Sequence, residues 1–495
     1  MMRQKLSGWI AVLFLSLVLW SGFAVAANAS DDLSQSDLRH VLERLSFGIT
    51  SKQLELVDRV GMESYIESQL NPQLVTESRV LDDYLTELDF IRQNPIENQQ
   101  KVRRWAKETQ DSRLSNEELV KRRKEIRELN DRARDEAIFA QLARSIYSEN
   151  QLQEVMVDFW FNHFNVFANK GASKLWLSDY VDRIRAHAMG NFRDLLGMTA
   201  RHPAMLIYLD NKMNIAPDSP AGKRNKQGLN ENYARELMEL HTLGVDGGYT
   251  QDDVIALARI FTGWGTDILG KHDDSGFFFY KLRHDNQPKS FLGQEIAANG
   301  IEEGEQALDI LANHPATARF ISYKLAQYFV ADLPPSSLVD KLSKEFIETR
   351  GDIKQVLNAL IHSEEFNDRQ YYKQKFKTPY QYLISLVRMA EIEQPNYKRI
   401  QGMLTQLSMP LYLYAAPTGY KNTQDAWLNP QAMLQRTSMA TAIANGVLNR
   451  DYSVKQKRLQ QNFGELSANT KRVLAKTPPK LRSALILGSP EAMYR

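Results

Sequence analysis

The densest group of chemically capable side chains lies in residues 230–244, NENYARELMELHTLG. At 100° per residue, Tyr233, Leu237 and Leu240 fall on one side, with Ala234 and Met238 at its edge. Glu231, Asn232, Arg235, Glu236 and Glu239 fall on the other side. The segment therefore reads as an amphipathic helix, and Gly244 stands where a C-terminal cap glycine belongs. Asn232, Glu236 and Glu239 sit at offsets 0, 4 and 7, so they can line one polar cavity. Two carboxylates one turn apart can share a divalent cation or divide the roles of acid and base. Arg235 beside them would hold an anion. The competing reading is a solvated face laced by Glu231–Arg235 and Arg235–Glu239 pairs; a third is a buried structural role for Glu236 or Arg235. Neither the HExxH nor the Glu-x-x-His pattern is present in this segment, so the standard zinc-protease and di-iron signatures are absent.

Histidines supply the second set of candidates. Leu152, Val155, Met156, Phe159, Trp160, His163 and Phe164 follow i, i+3, i+4, i+7, i+8, i+11, i+12, which points His163 into an apolar face. His241 also falls on the apolar side of its helix. The two are either separate core histidines or partners in one inward site. His40 lies beside the stripe Leu38, Val41, Leu42, Leu45 and reads as a core histidine. His202-Pro203-Ala204 and His314-Pro315-Ala316 read as helix starts, because proline suits the first helical position and the residue before it stays extended. His284-Asp285 is expected at the exposed tip of a short hairpin.

The elements that must position these groups are nearly all helices. Helical spacing predicts Asp37 to Phe47, Val60 to Asn71, Leu152 to Phe164 and a segment after Thr250. Ser115 and Glu118 form a capping box that opens a long, charged helix running toward Tyr147. Residues 277–280 and 290–292 predict one small β-hairpin across the turn 284–288. Residues 212–227 read as a flexible loop delivering the chain to the 230–244 helix, in the position of a lid. Residues 412–429, YLYAAPTGYKNTQDAWLN, read as a long aromatic loop able to stack on sugar or peptide, or simply to plug the core. The fold class expected is mostly α: a large multi-helix domain over residues 30–495, with 96–150 a charged long-helix segment or insertion.

Composition limits the function classes. The 495 residues carry 62 Lys and Arg against 60 Asp and Glu, and no cysteine. Disulfides, thiol nucleophiles and cysteine metal sites are excluded. Arg3 and Lys5 before the apolar run Ile10 to Trp20, and Ala27-Asn28-Ala29 after it, read as a secretory leader ending at residue 29. Without Arg3 and Lys5 the chain is formally neutral, which argues against a nucleic-acid or anionic-membrane surface as its main business. The expectation is a protein of the periplasm or the extracellular space with no transmembrane span after the leader.

Taken together, RHVLERLSFG at Arg39, FWFNHFNV at Phe159, HPAMLIYLDN at His202, NENYARELMELHTLG, FTGW at Phe261, RHDNQPKSFLG, HPATARF, the AAPTGY to WLNP region and LGSPEAMYR resemble the exported bacterial proteins of the domain-of-unknown-function 1800 family. The resemblance spans nearly the whole chain after the leader. It departs at Ala416-Pro417-Thr418-Gly419-Tyr420, where the family loop often carries two prolines, a glycine and a tryptophan. It implies a mostly helical, exported protein whose genes often neighbour those of a sulfatase-like partner, and it implies no particular activity. The functional expectation is a hydrolase acting on envelope or extracellular polymer, with Glu236 and Glu239 as acid/base or metal ligands, His163 and His241 close by and Arg235 on an anion. The alternative is a non-catalytic binding or assembly protein working with the sulfatase-like partner.

Overall fold

The structure is a computed structural model that describes residues 34–110, 114–225, 228–267 and 270–495. The leader-like segment ending at Ala29 lies outside the described residues. The fold is mostly α-helical, with two antiparallel two-stranded sheets. A continuous hydrophobic core runs from Leu38 to Met493. No helix among the described residues is long and apolar enough to cross a membrane.

Local chemistry sets most helix ends where spacing and capping residues predict them. Ser115 accepts from Glu118 N and Glu118 reaches back, opening a helix from Asn116 to Tyr147. Thr250 and Asp253 form the same box ahead of Gln251–Ile260, and Thr378 with Gln381 does so ahead of Pro379–Met389. His202 and His314 are N-caps: the Nδ1 of each accepts a backbone N–H two residues on, at 3.1 Å in both cases. The helix expected over Val60 to Asn71 is Met62–Leu70, with a separate helix, Ser51–Val60, ahead of it across Gly61. His40 is buried, with Nε2 2.8 Å from the Phe366 carbonyl and its ring stacked on Tyr372.

The β structure differs from the expected pairing. Strand β1 (Trp264–Thr266) pairs with β2 (Phe277–Phe279), while β3 (Lys289–Phe291) pairs with β4 (Gln294–Ile296). The hairpin turn is Leu292-Gly293, both at positive φ, as a tight primed turn requires. Residues 284–288 are a crossover between sheets, and His284 is buried, not exposed. Its Nδ1 lies 2.9 Å from the Thr262 carbonyl and its Nε2 3.0 Å from Glu303, while Lys289 closes on the other Glu303 oxygen at 2.5 Å. The segment read as a free loop over 212–227 is partly ordered. Pro220–Asn225 is helical, Ile215 and Ala216 are buried, and Ala216 N donates to the Arg283 carbonyl; residues 226 and 227 lie outside the described residues.

Candidate functional site

The 230–244 segment starts as an α-helix, Asn232–Glu236, and widens into a π-turn, Leu237–His241. The cause lies at its end. Thr242 Oγ1 donates to the Leu237 carbonyl at 2.7 Å, five residues back, and Gly244 N reaches the Met238 carbonyl at 3.1 Å, six back. Gly244 takes φ +82, and a Cβ there would stand 3.0 Å from the Phe320 ring, so the expected terminal glycine is needed for both conformation and space. Single π-turns inside helices recur at functional sites. Here the turn leaves the His241 carbonyl without a helical partner, and His163 Nε2 takes it at 3.1 Å. Because a carbonyl only accepts, Nε2 carries the proton and Nδ1 the lone pair.

The structure thus brings His163 and His241 together, with ring centroids 6.1 Å apart; Phe159, Trp160, Phe164 and Phe320 surround His163, and Phe164 also faces His241. Both are buried. Burial, and then the Lys324 charge, holds His163 far below the ordinary imidazole range and lowers His241 to about 3. Both rings are neutral at physiological pH. His163 Nδ1 and His241 Nε2 have no hydrogen-bond partner. Lys324, on the Pro315–Phe329 helix, is itself brought down to about 8 by burial, and its ammonium sits 5.3 Å over Phe320.

The carboxylates face the other way. Tyr233, Ala234, Leu237 and Met238 are buried, whereas Glu231, Arg235, Glu236 and Glu239 are half-buried. Arg235 pairs with Glu231 at 3.3 Å and Glu239 at 3.6 Å and donates to Gln251. Those are the i,i+4 contacts of the solvated-face reading, and they occupy the guanidinium. Glu239 also meets the Tyr249 phenol, which burial and then this contact raise to about 12. Glu236 alone of the three carboxylates on this helix has no hydrogen bond or ion pair. Burial, and then the Glu239 charge, raises its pKa above the ordinary carboxylate value, against the opposing pull of Arg235.

A network of side-chain-to-backbone hydrogen bonds ties the segments around Asn165, Tyr208, Asn230 and Ala415 together. The charge of Glu236 acts on Tyr208, whose phenol burial already drives up. Tyr208 Oη donates to the Ala415 carbonyl at 2.8 Å. Asn165 Nδ2 donates to the Tyr414 and Ala416 carbonyls at 3.1 and 2.8 Å. Asn230 Nδ2 donates to the carbonyl of Asp210, which sits at φ +59 and holds Lys170 at 2.8 Å. The aromatic loop is pinned in the same way: Asn162 exchanges two hydrogen bonds of 2.7 Å with the Tyr420 backbone. A Cβ on Gly419, at φ +65, would lie 2.1 Å from the Asn162 carbonyl.

Under that loop lies a cavity of about 30 Å³ walled by Asp158, Asn162, Asn165, Tyr380, Tyr412 and Tyr420, enough for an ordered water. Asp158 accepts from Tyr328 Oη at 3.0 Å. Burial raises its carboxyl to about 6, against the opposing effects of that hydrogen bond and of Arg495. Tyr412 beside it holds φ +63, a strained value for a tyrosine. Asp158 and Asn162 stand one turn apart on the Gln151–His163 helix, and Asn165 lies just past its end. That polar stripe was readable in the sequence; the role of Tyr208 and the depressed amine of Lys324 carried no spacing signal.

The site residues expected together therefore divide: His163 and His241 lie inside, while Arg235, Glu236 and Glu239 lie on the outer face. Among the described residues no group of three or more His, Asp or Glu side chains is placed to hold a metal ion. Fold and site define a mostly α-helical protein whose polar residues gather where a π-turn, an aromatic helix and a pinned loop meet. The chain belongs to the family described as protein of unknown function (DUF1800), which matches residues 40–494. No curated protein and no solved structure matches it.

Proposed function

We propose that this is an exported hydrolase acting on envelope or extracellular polymer, with Glu236 as its general acid and Glu239 as its partner carboxylate. The supporting observation is the state of Glu236: half-buried, without an ionic or hydrogen-bonding partner, and shifted toward its protonated form by burial and by Glu239. A carboxyl whose protonated form is favoured by burial and by a neighbouring carboxylate is the kind of group that general acid catalysis of a glycosyl or acyl bond needs. The Glu236 charge acts on Tyr208, whose hydroxyl donates to the Ala415 carbonyl of the aromatic loop. In this reading Arg235 orients Glu239, and His163 and His241 support the π-turn from inside. Export rests on the leader-like residues 1–29, and N-terminal sequencing of the protein from fractionated cells tests it. The activity is tested by incubating purified chain with envelope polysaccharide, peptidoglycan and extracellular protein, and following release of reducing ends, acyl groups or amines. Glu236→Gln should abolish release with an unchanged circular dichroism spectrum.

A second reading has its own support, because the buried neutral histidines and the locked loop are arrangements that hold structure. In it the protein binds or assembles envelope components with a sulfatase-like partner and performs no chemistry. Absence of release from every polymer, with the same partner recovered by wild type and Glu236→Gln, would favour it.

A further inference from the structure

The near-neutral total of the chain hides a strong local asymmetry. Residues 466–490 contain five basic side chains, Lys471, Arg472, Lys476, Lys480 and Arg482, and no acidic one. These residues build two helices, Ala468–Lys476 and Pro479–Leu487, which pack with Pro430–Ala444. Between the three helices runs a groove of about 420 Å³, whose walls include Thr437, Thr441, Val473, Leu481, Leu485 and Pro490. That volume lies in the range of small-molecule sites, roughly 300–1,000 Å³.

The groove is apolar where a water-facing surface would be polar. Val473 and Leu481 are each 43% exposed, and Leu434, one turn before Thr437 on the same stripe, is 69% exposed. The basic residues stand at the rim. Arg472 Nη2 donates to Asn469, a groove residue, at 2.7 Å, so its guanidinium leans over the opening. Lys476 follows one turn later on that face, and Lys480 precedes Leu481; both are exposed. Lys471 makes one exposed contact with Glu465 at 2.9 Å, too weak to neutralise the rim. The nearest other carboxylate, Glu491, is occupied: it takes Ser467 N at 2.8 Å and Thr470 Oγ1 at 3.1 Å, contacts that lower it to about 2 despite burial.

We propose that this C-terminal face docks on an anionic phospholipid surface, with Arg472, Lys476 and Lys480 on headgroup phosphates and the groove between Val473 and Leu481 receiving acyl chain. Charge complementarity selects the occupant: an apolar floor beside five basic side chains, with Glu491 the acidic group bonded to a wall residue, matches a negatively charged amphiphile. A single contact of this kind gives reversible adhesion, not anchoring. The inference is independent of any role for Glu236.

The test is co-sedimentation of the chain from residue 30 onward, which contains every described element and lacks the apolar run at Ile10 to Trp20. The vesicles are phosphatidylcholine alone or phosphatidylcholine with about one-third phosphatidylglycerol. Binding is expected only to the anionic vesicles and should weaken as salt rises. Arg472→Ser/Lys476→Ser/Lys480→Ser should reduce it on the order of a hundredfold, at roughly fivefold per basic residue. Val473→Ser/Leu481→Ser should reduce it several-fold with the melting temperature unchanged. Equal binding to both vesicles, no binding to either, or binding indifferent to Val473 and Leu481 would overturn the proposal. Failure on vesicles with tight binding of a synthetic acidic amphipathic helix would replace the lipid by a protein partner.

Discussion

Replacing Asp158 by Asn should make the protein more stable, by more at neutral pH than in acid. The carboxyl takes a proton at about 6 in the folded chain because burial disfavours its charge, and near the ordinary aspartate value of roughly 3.9 once unfolded. Between those values the folded state binds more protons than the unfolded state, so stability falls as pH rises through that window. Two pKa units correspond to about 3 kcal/mol, an upper figure because the side chain is not wholly enclosed. Asparagine keeps an acceptor for the Tyr328 hydroxyl, now 3.0 Å from Asp158, and removes the charge. Urea denaturation of wild type and Asp158→Asn at pH 4.5, 6 and 7.5 measures the difference. The variant should exceed wild type by about 1 kcal/mol at pH 4.5 and by up to about 3 kcal/mol at pH 7.5. A variant less stable than wild type at pH 7.5, or a difference that does not change with pH, refutes the assignment of Asp158 as a carboxyl strained by burial.

Three further outcomes follow from the same geometry. His163 and His241 are held neutral below the ordinary imidazole value, so each must gain a proton on unfolding below about pH 6.5. Wild type should lose stability as pH falls from 6.5 toward 4, and His241→Gln should show an acid slope smaller by close to one proton in the same urea titration. Gly419→Ala places a methyl group against the Asn162 carbonyl at positive φ and should destabilise by about 2 kcal/mol or more; calorimetry reads the loss, and Trp427 fluorescence reads release of the loop. Arg235→Ala removes two pairs whose partners are exposed by a quarter or more, so chemical denaturation should show a loss below about 1 kcal/mol.

The helical class, the capping boxes at Ser115 and Thr250 and the N-cap histidines were legible because each depends on residues within one turn. The inward aim of His163 and His241 was legible from periodicity, and the structure adds that their rings meet. The strand partners were not legible: β2 pairs antiparallel with Trp264–Thr266, the strand before it in the chain, and short strands carry no mark of register beyond the adjacent turn. The burial of His284 was invisible because its partner Glu303 comes from the Ile301–Ala312 helix and reaches it only in the folded chain. The π-turn could not be read from a 100° wheel, which assumes the α repeat throughout. The wheel did place Glu236 and Glu239 on the polar face, but it could not show that Arg235 occupies Glu239 and leaves Glu236 free.

Polymer hydrolysis by wild type, Glu236→Gln and Glu239→Gln, each followed from pH 4 to 8, tests the functional account most directly. The account predicts release by wild type with an alkaline limb set by a carboxyl above the ordinary glutamate range, and loss of roughly a hundredfold or more in Glu236→Gln with the fold intact. Release by Glu236→Gln equal to wild type, or none from any polymer by wild type, would contradict it.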